Sequence, residues 1–287
     1  MKLGLSSYSL YQAMRTGRMT MVDVVQWVAD QGGEHIEIAA VGINLAEDPK
    51  LVEAIRAKAE EVHLPISNYA VGANFLKPDE ASYEAEISRV MKEVDVAHAL
   101  GVKLMRHDVA SRPIAEATAA NFHADLPKLV EACRRIADYA AQYGITTSVE
   151  NHGYYIQASD RVNLLVHEVG RKNFRTTLDV GNFMCADEDS VTATKKNLPI
   201  ASMIHLKDFY LRPSYRDPGE GWFRTAGGNY LRGAIVGQGD IDMWAVIKAI
   251  KESGYDGYIS IEFEGLEPCE FGSRVGLANA RRIWEEV

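Results

Sequence analysis

The segment ITTSVENHGYYIQASDRVNLLVHEVGRKNFRTTLDVGN, residues 145–182, contains the pattern that decides the fold. A short run rich in β-branched residues ends in Glu150, a stretch with helical periodicity follows, and a second short run ends in Asp179. Short runs of this kind predict buried strands, and the periodic stretch between them predicts an amphipathic helix. The segment therefore predicts a strand–helix–strand unit with parallel strands.

The same alternation extends over the whole chain. Eight short apolar runs each precede a longer stretch of helical periodicity, and several of these stretches end in a glycine suited to a helix C-cap, such as Gly101 and Gly170. The predicted strands cover residues 2–7, 35–39, 64–70, 102–107, 145–150, 174–179, 202–207 and 258–263. Eight successive units without a linker predict an α/β fold, a single (β/α)8 TIM barrel with eight parallel strands over residues 1–287. The chain has no dinucleotide or P-loop glycine motif that would favour an open sheet.

The composition narrows the class of protein and its partners. The 287 residues are 47% hydrophobic and 25% charged, which predicts a folded chain with a large core. The net charge of −9 argues against a protein that grips nucleic acid. Three scattered cysteines fit a reducing compartment, and no apolar run is long enough for a signal peptide or a membrane span. We therefore expect a cytoplasmic protein with a small-molecule substrate and no nucleic-acid or membrane partner. The sequence leaves open whether it forms a homo-oligomer.

Four predicted strands in a row have a metal-ligating residue at their carboxyl end or within two residues of it. Active sites of TIM barrels lie at the carboxyl ends of the strands, so Glu150, Asp179, His205 and Glu262 are expected to converge there. Three carboxylates at one point would repel each other unless a cation joined them. Oxygen-rich ligation with one imidazole suits Mn²⁺ best, with Mg²⁺, Co²⁺ or Zn²⁺ as alternatives.

Further polar residues at the predicted strand ends are expected to contact the substrate. They are Tyr8, His107, His152, Asn182 and Lys207. The two histidines have an alternative role in satisfying backbone groups of neighbouring loops, and Lys207 has one in a salt bridge to a strand-end carboxylate. Arg106 directly precedes His107, so regular strand alternation would point it to the opposite face, toward the helices.

A long loop is predicted at about residues 208–240, after the seventh strand. Loops of this length are usually functional or disordered. This one is rich in aromatic and arginine side chains, and we expect Arg216 and Trp222 to contact the substrate. The same residue types are typical of oligomer interfaces, so a lid and an interface remain alternatives for this loop.

Five short motifs resemble those of a known family. They are VENH (149–152), LDVGN (178–182), GQGDID (237–242), IHLKD (204–208) and GYISIE (257–262). Together they resemble the xylose-isomerase-like TIM barrels of the sugar phosphate isomerase/epimerase group, over nearly the whole chain. The resemblance implies that Glu150, Asp179, His205 and Glu262 hold the metal. It also implies that Glu150 and Glu262 are catalytic and exchange a proton from opposite faces of the substrate carbon, as in ketose 3-epimerases.

The resemblance implies a divalent-metal-dependent isomerase or epimerase of a carbonyl sugar or keto-cyclitol. In this chemistry a carboxylate removes the proton next to a carbonyl whose oxygen is stabilised by the metal. The alternative is a lyase of the same family, a keto-inositol dehydratase or an enzyme that eliminates from a 3-keto-glycoside. Asn182 stands where the epimerases usually have a histidine, and Ile156 where they have a second acid. An endonuclease is the remote alternative, disfavoured by the negative charge and by Asn182.

Overall fold

Eight parallel strands close into a barrel in the computed structural model, which describes residues 1–287. The first seven strands of the chain and the eleventh form the barrel, and the first pairs with both the second and the eleventh to close it. The strands are β1 (Lys2–Ser6), β2 (Ile36–Ala39), β3 (Ile66–Val71), β4 (Leu104–His107), β5 (Thr146–Glu150), β6 (Phe174–Asp179), β7 (Ala201–Leu206), β8 (Asp208–Arg212), β9 (Phe223–Arg224), β10 (Tyr230–Ala234) and β11 (Tyr258–Ile261). The predicted fold class is confirmed.

The helices surround the barrel, and six of the nine begin after a residue whose side chain caps them. Thr20 and Asp23 form a capping box at the start of α2, and Asp48 caps α3 in front of Pro49. The helices are α1 (Tyr11–Arg15), α2 (Met21–Asp30), α3 (Pro49–Glu61), α4 (Glu80–Leu100), α5 (Ala119–Ala141), α6 (Ser159–Val169), α7 (Ser190–Asn197), α8 (Met243–Glu252) and α9 (Cys269–Glu286). None of them combines the length and the apolar character that a bilayer crossing requires.

The start of α5 differs from the sequence pattern. The sequence around Pro127 reads as a helix start, because proline is favoured in the first turn. The structure instead begins α5 at Ala119, where the Thr118 side chain accepts a hydrogen bond from the backbone N–H of Asn121. Pro127 therefore lies inside the helix.

The segment after β7, expected to be a long loop, contains a small antiparallel sheet in the order β8–β10–β9. The Asp208 carboxylate ties this sheet to the chain that follows it, accepting hydrogen bonds from the backbone N–H groups of Gly237 and Gly239 at 2.9 Å each. A Cβ atom on Gly239 would lie 2.1 Å from the Asp208 carboxylate oxygen, so a glycine is required there. These contacts explain why glycine occupies position 239 in the GQGD sequence, residues 237–240.

His35 connects three barrel strands at their amino-terminal ends. Its buried ring places Nε2 at 3.0 Å from the carbonyl oxygen of Ile259 and at 3.2 Å from that of Lys2, while Nδ1 lies 2.9 Å from the Ser67 hydroxyl. Burial lowers the pKa of His35 to about 4. The ring is therefore neutral in the folded protein at physiological pH.

We predict that His35 makes the protein less stable in mild acid. Its pKa is lower in the folded state than the ordinary value of 6.5, so the unfolded chain takes up the proton first. The free energy of unfolding therefore falls as the pH drops from about 6.5 to about 4. In His35→Gln, the loss of unfolding free energy between pH 7 and pH 5 should shrink by about 2 kcal/mol relative to the parent chain. Denaturant titrations at both pH values measure it, with the exposed His123→Gln as control. An unaltered pH dependence in His35→Gln would contradict the prediction.

Candidate active site

Four metal-ligating side chains meet at the carboxyl end of the barrel. Glu150 and Asp179 are the last residues of β5 and β6, His205 lies in β7 opposite Asp179, and Glu262 directly follows β11. All four are buried, and one ligand atom from each lies within 4.8 Å of the others. The strand-end argument from the sequence therefore brings the four predicted residues together.

The free atoms of this cluster suit a divalent cation. Asp179 Oδ2, His205 Nδ1 and Glu262 Oε2 are buried and make no geometrically defined hydrogen bond, although Oδ2 lies 3.2 Å from the Lys207 ammonium and Nδ1 and Oε2 lie 2.5 Å apart. Burial and the nearby carboxylates, opposed by Lys207, raise the pKa of Asp179 to about 6. Three carboxylates and one imidazole are donors that a hard or borderline divalent ion takes. These residues could therefore hold such an ion, and it would satisfy the atoms that the protein leaves unpaired.

Glu37, in β2, orients the histidine of this cluster. Its buried carboxylate lies 2.7 Å from Nε2 of His205, and the Ser6 hydroxyl donates to its other oxygen at 3.3 Å. When Nε2 donates to this carboxylate, Nδ1, which faces the other three residues, is the nitrogen that can bind a metal. Sequence reasoning missed this role, although the isolated acid in the apolar IEI run of β2 was the available signal.

Lys207 places a positive charge among the carboxylates. Its buried ammonium lies 3.2 Å from Asp179 and 3.4 Å from Glu262, and it donates to Asn182 Oδ1 at 3.3 Å. Burial opposes the charge, but the neighbouring carboxylates outweigh it and raise the pKa of Lys207 well above its usual value. Asn182 in turn donates to Glu150 at 3.1 Å. Lys207 and Asn182, both predicted from the sequence, thus contact members of the four-residue cluster.

Arg106 and His107 occupy the reverse of their predicted positions. Arg106 points into the barrel, with Nε at 2.7 Å from Glu150 and a terminal nitrogen at 2.8 Å from Asp108. His107 is fully buried beside the rings of Phe75 and Phe174 and does not line the cavity. Strand alternation requires the two to face opposite ways, and the carboxylates inside this barrel favour the arginine there. The expected contact of His107 with substrate is therefore corrected.

His152 forms a second polar group at the mouth of the barrel. Its Nδ1 lies 3.3 Å from the Asp108 carboxylate, and half of its side chain is exposed. Burial opposes a charge on the ring, but the hydrogen bond to Asp108 and the negative charges of Asp108 and Glu150 together outweigh it and raise the pKa of His152. His152 and Asp108 can therefore act as an acid–base pair beside the metal-ligating cluster.

A cavity of about 220 Å³ lies over the cluster. The predicted residues on its surface are Tyr8, Glu150, His152, His205, Lys207 and Glu262. Arg216 is exposed elsewhere, and Trp222 lies against Arg212 and Arg232 in the small sheet, away from this cavity. Neither residue lines the cavity, and their expected contacts with substrate stay predictions. A larger cavity of about 660 Å³ lies at the amino-terminal ends of β3, β4 and β11, away from the cluster.

We predict that Glu37 controls metal affinity through His205. Replacing it in Glu37→Gln removes the carboxylate that holds the imidazole, and Mn²⁺ affinity should fall about 10- to 100-fold. Calorimetric titration with Mn²⁺ measures the change, and circular dichroism verifies that the fold persists. The exposed Glu285→Gln is the matched control and should bind Mn²⁺ as the parent chain does. An affinity in Glu37→Gln within twofold of the control would refute the positioning role.

Known proteins that resemble this chain include two dehydratases. The inosose dehydratase of Lacticaseibacillus casei is 25% identical over 235 residues, which cover 78% of this chain and 76% of that protein. The inosose dehydratase of Geobacillus thermodenitrificans is 24% identical over 139 residues, so the match spans about half of each chain, 47% and 46%. Both are distant relatives of this chain, and they share one named activity.

Solved structures share the barrel. A probable 3-DHS dehydratase involved in petrobactin synthesis from Bacillus anthracis superposes with a TM-score of 0.75 at 18% identity, covering 97% of this chain and 98% of the other. A D-psicose 3-epimerase gives a TM-score of 0.74 at 18% identity and covers 99% of both chains. At this level of identity the likeness shows the fold.

A family model that matches most of the chain establishes the family. Residues 25–284 match the model of the xylose isomerase-like TIM barrel. This range contains the four metal-ligating residues, His152 and Lys207. The resemblance predicted from the strand-end motifs is confirmed, and the chain belongs to the xylose isomerase-like TIM barrel family.

Proposed function

We propose that this protein is a divalent-metal-dependent lyase. It would remove a proton next to the carbonyl of a keto-cyclitol or an oxidised sugar and expel the oxygen substituent of the next carbon. The observation that carries the proposal is an asymmetry of the acid–base groups. One side of the cavity has the His152–Asp108 pair. The oxygens of Glu150, in contrast, are held by Arg106 and Asn182. The similarity to the inosose dehydratase of Lacticaseibacillus casei, which extends over 78% of this chain, supports the same reaction class.

Glu150 is poorly suited to act as a base. Arg106 holds one of its oxygens at 2.7 Å and Asn182 holds the other at 3.1 Å. Burial opposes its charge, but Arg106, His205 and His152 together outweigh burial and hold the pKa of Glu150 well below its usual value. Inversion of a carbon by Glu150 and Glu262 from opposite faces would need both as effective bases. The ion pair with Arg106 therefore disfavours the two-carboxylate mechanism.

One acid–base group is sufficient for an elimination on one face of a ring. Neutral His152 takes the proton as the carbon–hydrogen bond breaks, and Asp108 stabilises the imidazolium that forms. The electron pair becomes a carbon–carbon double bond as the adjacent carbon–oxygen bond breaks. His152 then returns its proton to the departing oxygen, which leaves as water or as an alcohol. Atoms and charge balance without a further reactant.

The remaining residues stabilise the negative charge that develops. A divalent metal bound to Glu150, Asp179, His205 and Glu262 would supply Lewis-acid stabilisation of a carbonyl oxygen, and we propose Mn²⁺, with Mg²⁺, Co²⁺ or Zn²⁺ as alternatives. Lys207 adds a fixed positive charge on the cavity surface. Because it is held by several carboxylates, its ammonium stays protonated and stabilises negative charge without moving a proton.

The second candidate is an isomerase or epimerase of a carbonyl sugar. The observation that favours it is that both Glu150 and Glu262 line the cavity. Both candidate functions share proton abstraction next to a carbonyl, and they differ in the step after it. In the isomerase or epimerase the proton returns to carbon, whereas in the lyase an oxygen substituent leaves.

We predict that the Mn²⁺-loaded protein releases water from a keto-inositol. Proton NMR in D₂O, run with a panel of keto-inositols, 3-keto-glycosides and ketoses, separates the two functions. An alkene signal with loss of a ring proton identifies the lyase. Deuterium incorporation at one carbon without loss of water or an alcohol would instead establish the isomerase or epimerase and overturn the lyase.

We predict that His152→Asn lowers kcat by about 10²- to 10⁴-fold, the range expected for loss of a general base. Metal affinity should stay near that of the parent chain, because His152 is outside the four-residue cluster. Steady-state kinetics on the substrate found by NMR measure the effect, with the exposed His123→Asn as control. Full turnover in His152→Asn would remove the histidine from the mechanism.

A further inference from the structure

Glu264 is an exposed carboxylate at the mouth of the cavity over the metal-ligating cluster. It lies two residues after Glu262 and lines the same cavity, and 45% of its side chain is exposed. The small sheet fixes the backbone at this point, because a Cβ atom at Gly233 would clash with the Glu264 carbonyl oxygen. Glu264 therefore holds a defined place where an incoming ligand meets it.

Two contacts orient the Glu264 side chain. The Tyr8 hydroxyl donates to Oε1 at 3.0 Å, and Oε2 lies 3.7 Å from the Lys207 ammonium. Burial and the negative charge of Glu264 raise the pKa of Tyr8 above its usual value, so the phenol stays protonated and remains a donor. The carboxylate is thus held beside Lys207 by a hydrogen bond from a different part of the barrel.

Lys207 has one carboxylate neighbour within salt-bridge distance outside the metal-ligating cluster. Its other two, Asp179 at 3.2 Å and Glu262 at 3.4 Å, belong to that cluster. When these two hold a divalent ion, much of their negative charge is directed to it, whereas the charge of Glu264 stays with Lys207. A lysine without such a partner is a typical binding group for phosphate. Glu264 therefore decides whether Lys207 is open to an anionic part of a ligand.

The other charges around the cavity leave no unpaired cation for an anion. Arg106, the second cation of the cavity lining, is held by Glu150 at 2.7 Å and by Asp108 at 2.8 Å. The carboxylates of the lining and the cluster are Glu37, Asp108, Glu150, Asp179, Glu262 and Glu264. Six carboxylates and two cations give an excess of four negative charges, of which a divalent ion compensates two. A phosphate or carboxylate substituent would therefore be repelled.

We propose that Glu264 selects the substrate by charge, since it occupies Lys207 and excludes ligands that carry a phosphate or a carboxylate. The inference rests on the proposed function and deepens it by assigning the residue that separates uncharged from anionic substrates. Selection of this kind works through a repulsive element, and it appears as a difference between affinities. Glu264 acts on binding, and the proton transfer stays with His152.

The test uses inorganic phosphate as the anionic probe. The Mn²⁺ of the loaded protein enhances the relaxation of the phosphorus nucleus when phosphate binds in the cavity, so phosphorus NMR titrations give the dissociation constant at this place. In Glu264→Gln the side-chain oxygen still accepts from Tyr8 but the charge is lost, and phosphate should bind at least tenfold more tightly than to the parent chain. Glu267→Gln removes the same charge three residues further on, outside the cavity lining, and should bind phosphate as the parent chain does.

A double variant identifies the cation that takes up the phosphate. Arg15 lines an adjoining cavity of about 380 Å³ that shares Tyr8 and Glu264, so it is the alternative partner for an anion. The gain in affinity should persist when Glu264→Gln is combined with Arg15→Gln, because Lys207 is unchanged. Loss of the gain in this double variant would place the anion at Arg15 and overturn the inference.

The remaining outcomes separate the inference from the proposed reaction. A phosphate affinity of Glu264→Gln within twofold of the parent chain, or an equal gain in Glu267→Gln, would overturn the role of Glu264. Proton NMR in D₂O with keto-inositols reports elimination independently. A tenfold gain in phosphate affinity without elimination would keep Glu264 as the charge-selecting residue while refuting the lyase, and elimination without the gain would do the reverse.

Discussion

The repulsion between three buried carboxylates is the constraint on which the rest of the site depends. Glu150, Asp179 and Glu262 present atoms within 4.8 Å of one another. At such a distance each like-charged pair costs about 3–4 kcal/mol at an effective dielectric constant near 20. The barrel fold makes the arrangement unavoidable, because parallel strands of similar length bring their last residues to the same rim. The surrounding residues must therefore supply positive charge or hydrogen-bond donors.

The compensation is divided between the protein and a cation. Arg106 neutralises Glu150 and Lys207 bridges Asp179 and Glu262, each at salt-bridge distance. Even so, oxygens of Asp179 and Glu262 and a nitrogen of His205 remain in the centre without a hydrogen-bond partner. Leaving buried polar atoms unpaired is costly, whereas one divalent ion would satisfy all of them at once. The negative charge that Arg106 and Lys207 do not compensate is what makes the cluster suited to a metal ion.

The sequence predicts this centre well because its members are defined by two strong regularities. A barrel strand ends at a recognisable place, and the active face lies there, so Glu150, Asp179 and His205 follow from position alone. The neighbouring contacts depend on which side of a strand faces inward. Side chains alternate between the two faces of a strand, and where two neighbours are both polar, as with Arg106 and His107, the sequence does not show which of them faces inward.

Glu37 acts from β2, far away in the chain, and only the closed barrel brings it to His205. The antiparallel sheet after β7 depends in the same way on contacts, such as those of Asp208, that no local pattern contains.

The charge network also determines which groups remain free to act on a ligand. Side chains that hold the carboxylates, namely Arg106, Asn182 and Lys207, are themselves fixed by them and cannot exchange protons readily. The groups at the edge of the network lie on two rims of the cavity, where Asp108 also pairs with Arg106 and Glu264 lies 3.7 Å from Lys207. Near β4 and β5 the free group is the half-exposed His152 with Asp108, whose pairing favours proton transfer. Near β1 and β11 it is Tyr8, whose hydroxyl donates to Glu264. The same electrostatic requirement that assembles the metal-ligating centre thus leaves one hydrogen-bonded polar pair on each rim, and of the two only the pair with His152 contains an imidazole suited to proton transfer.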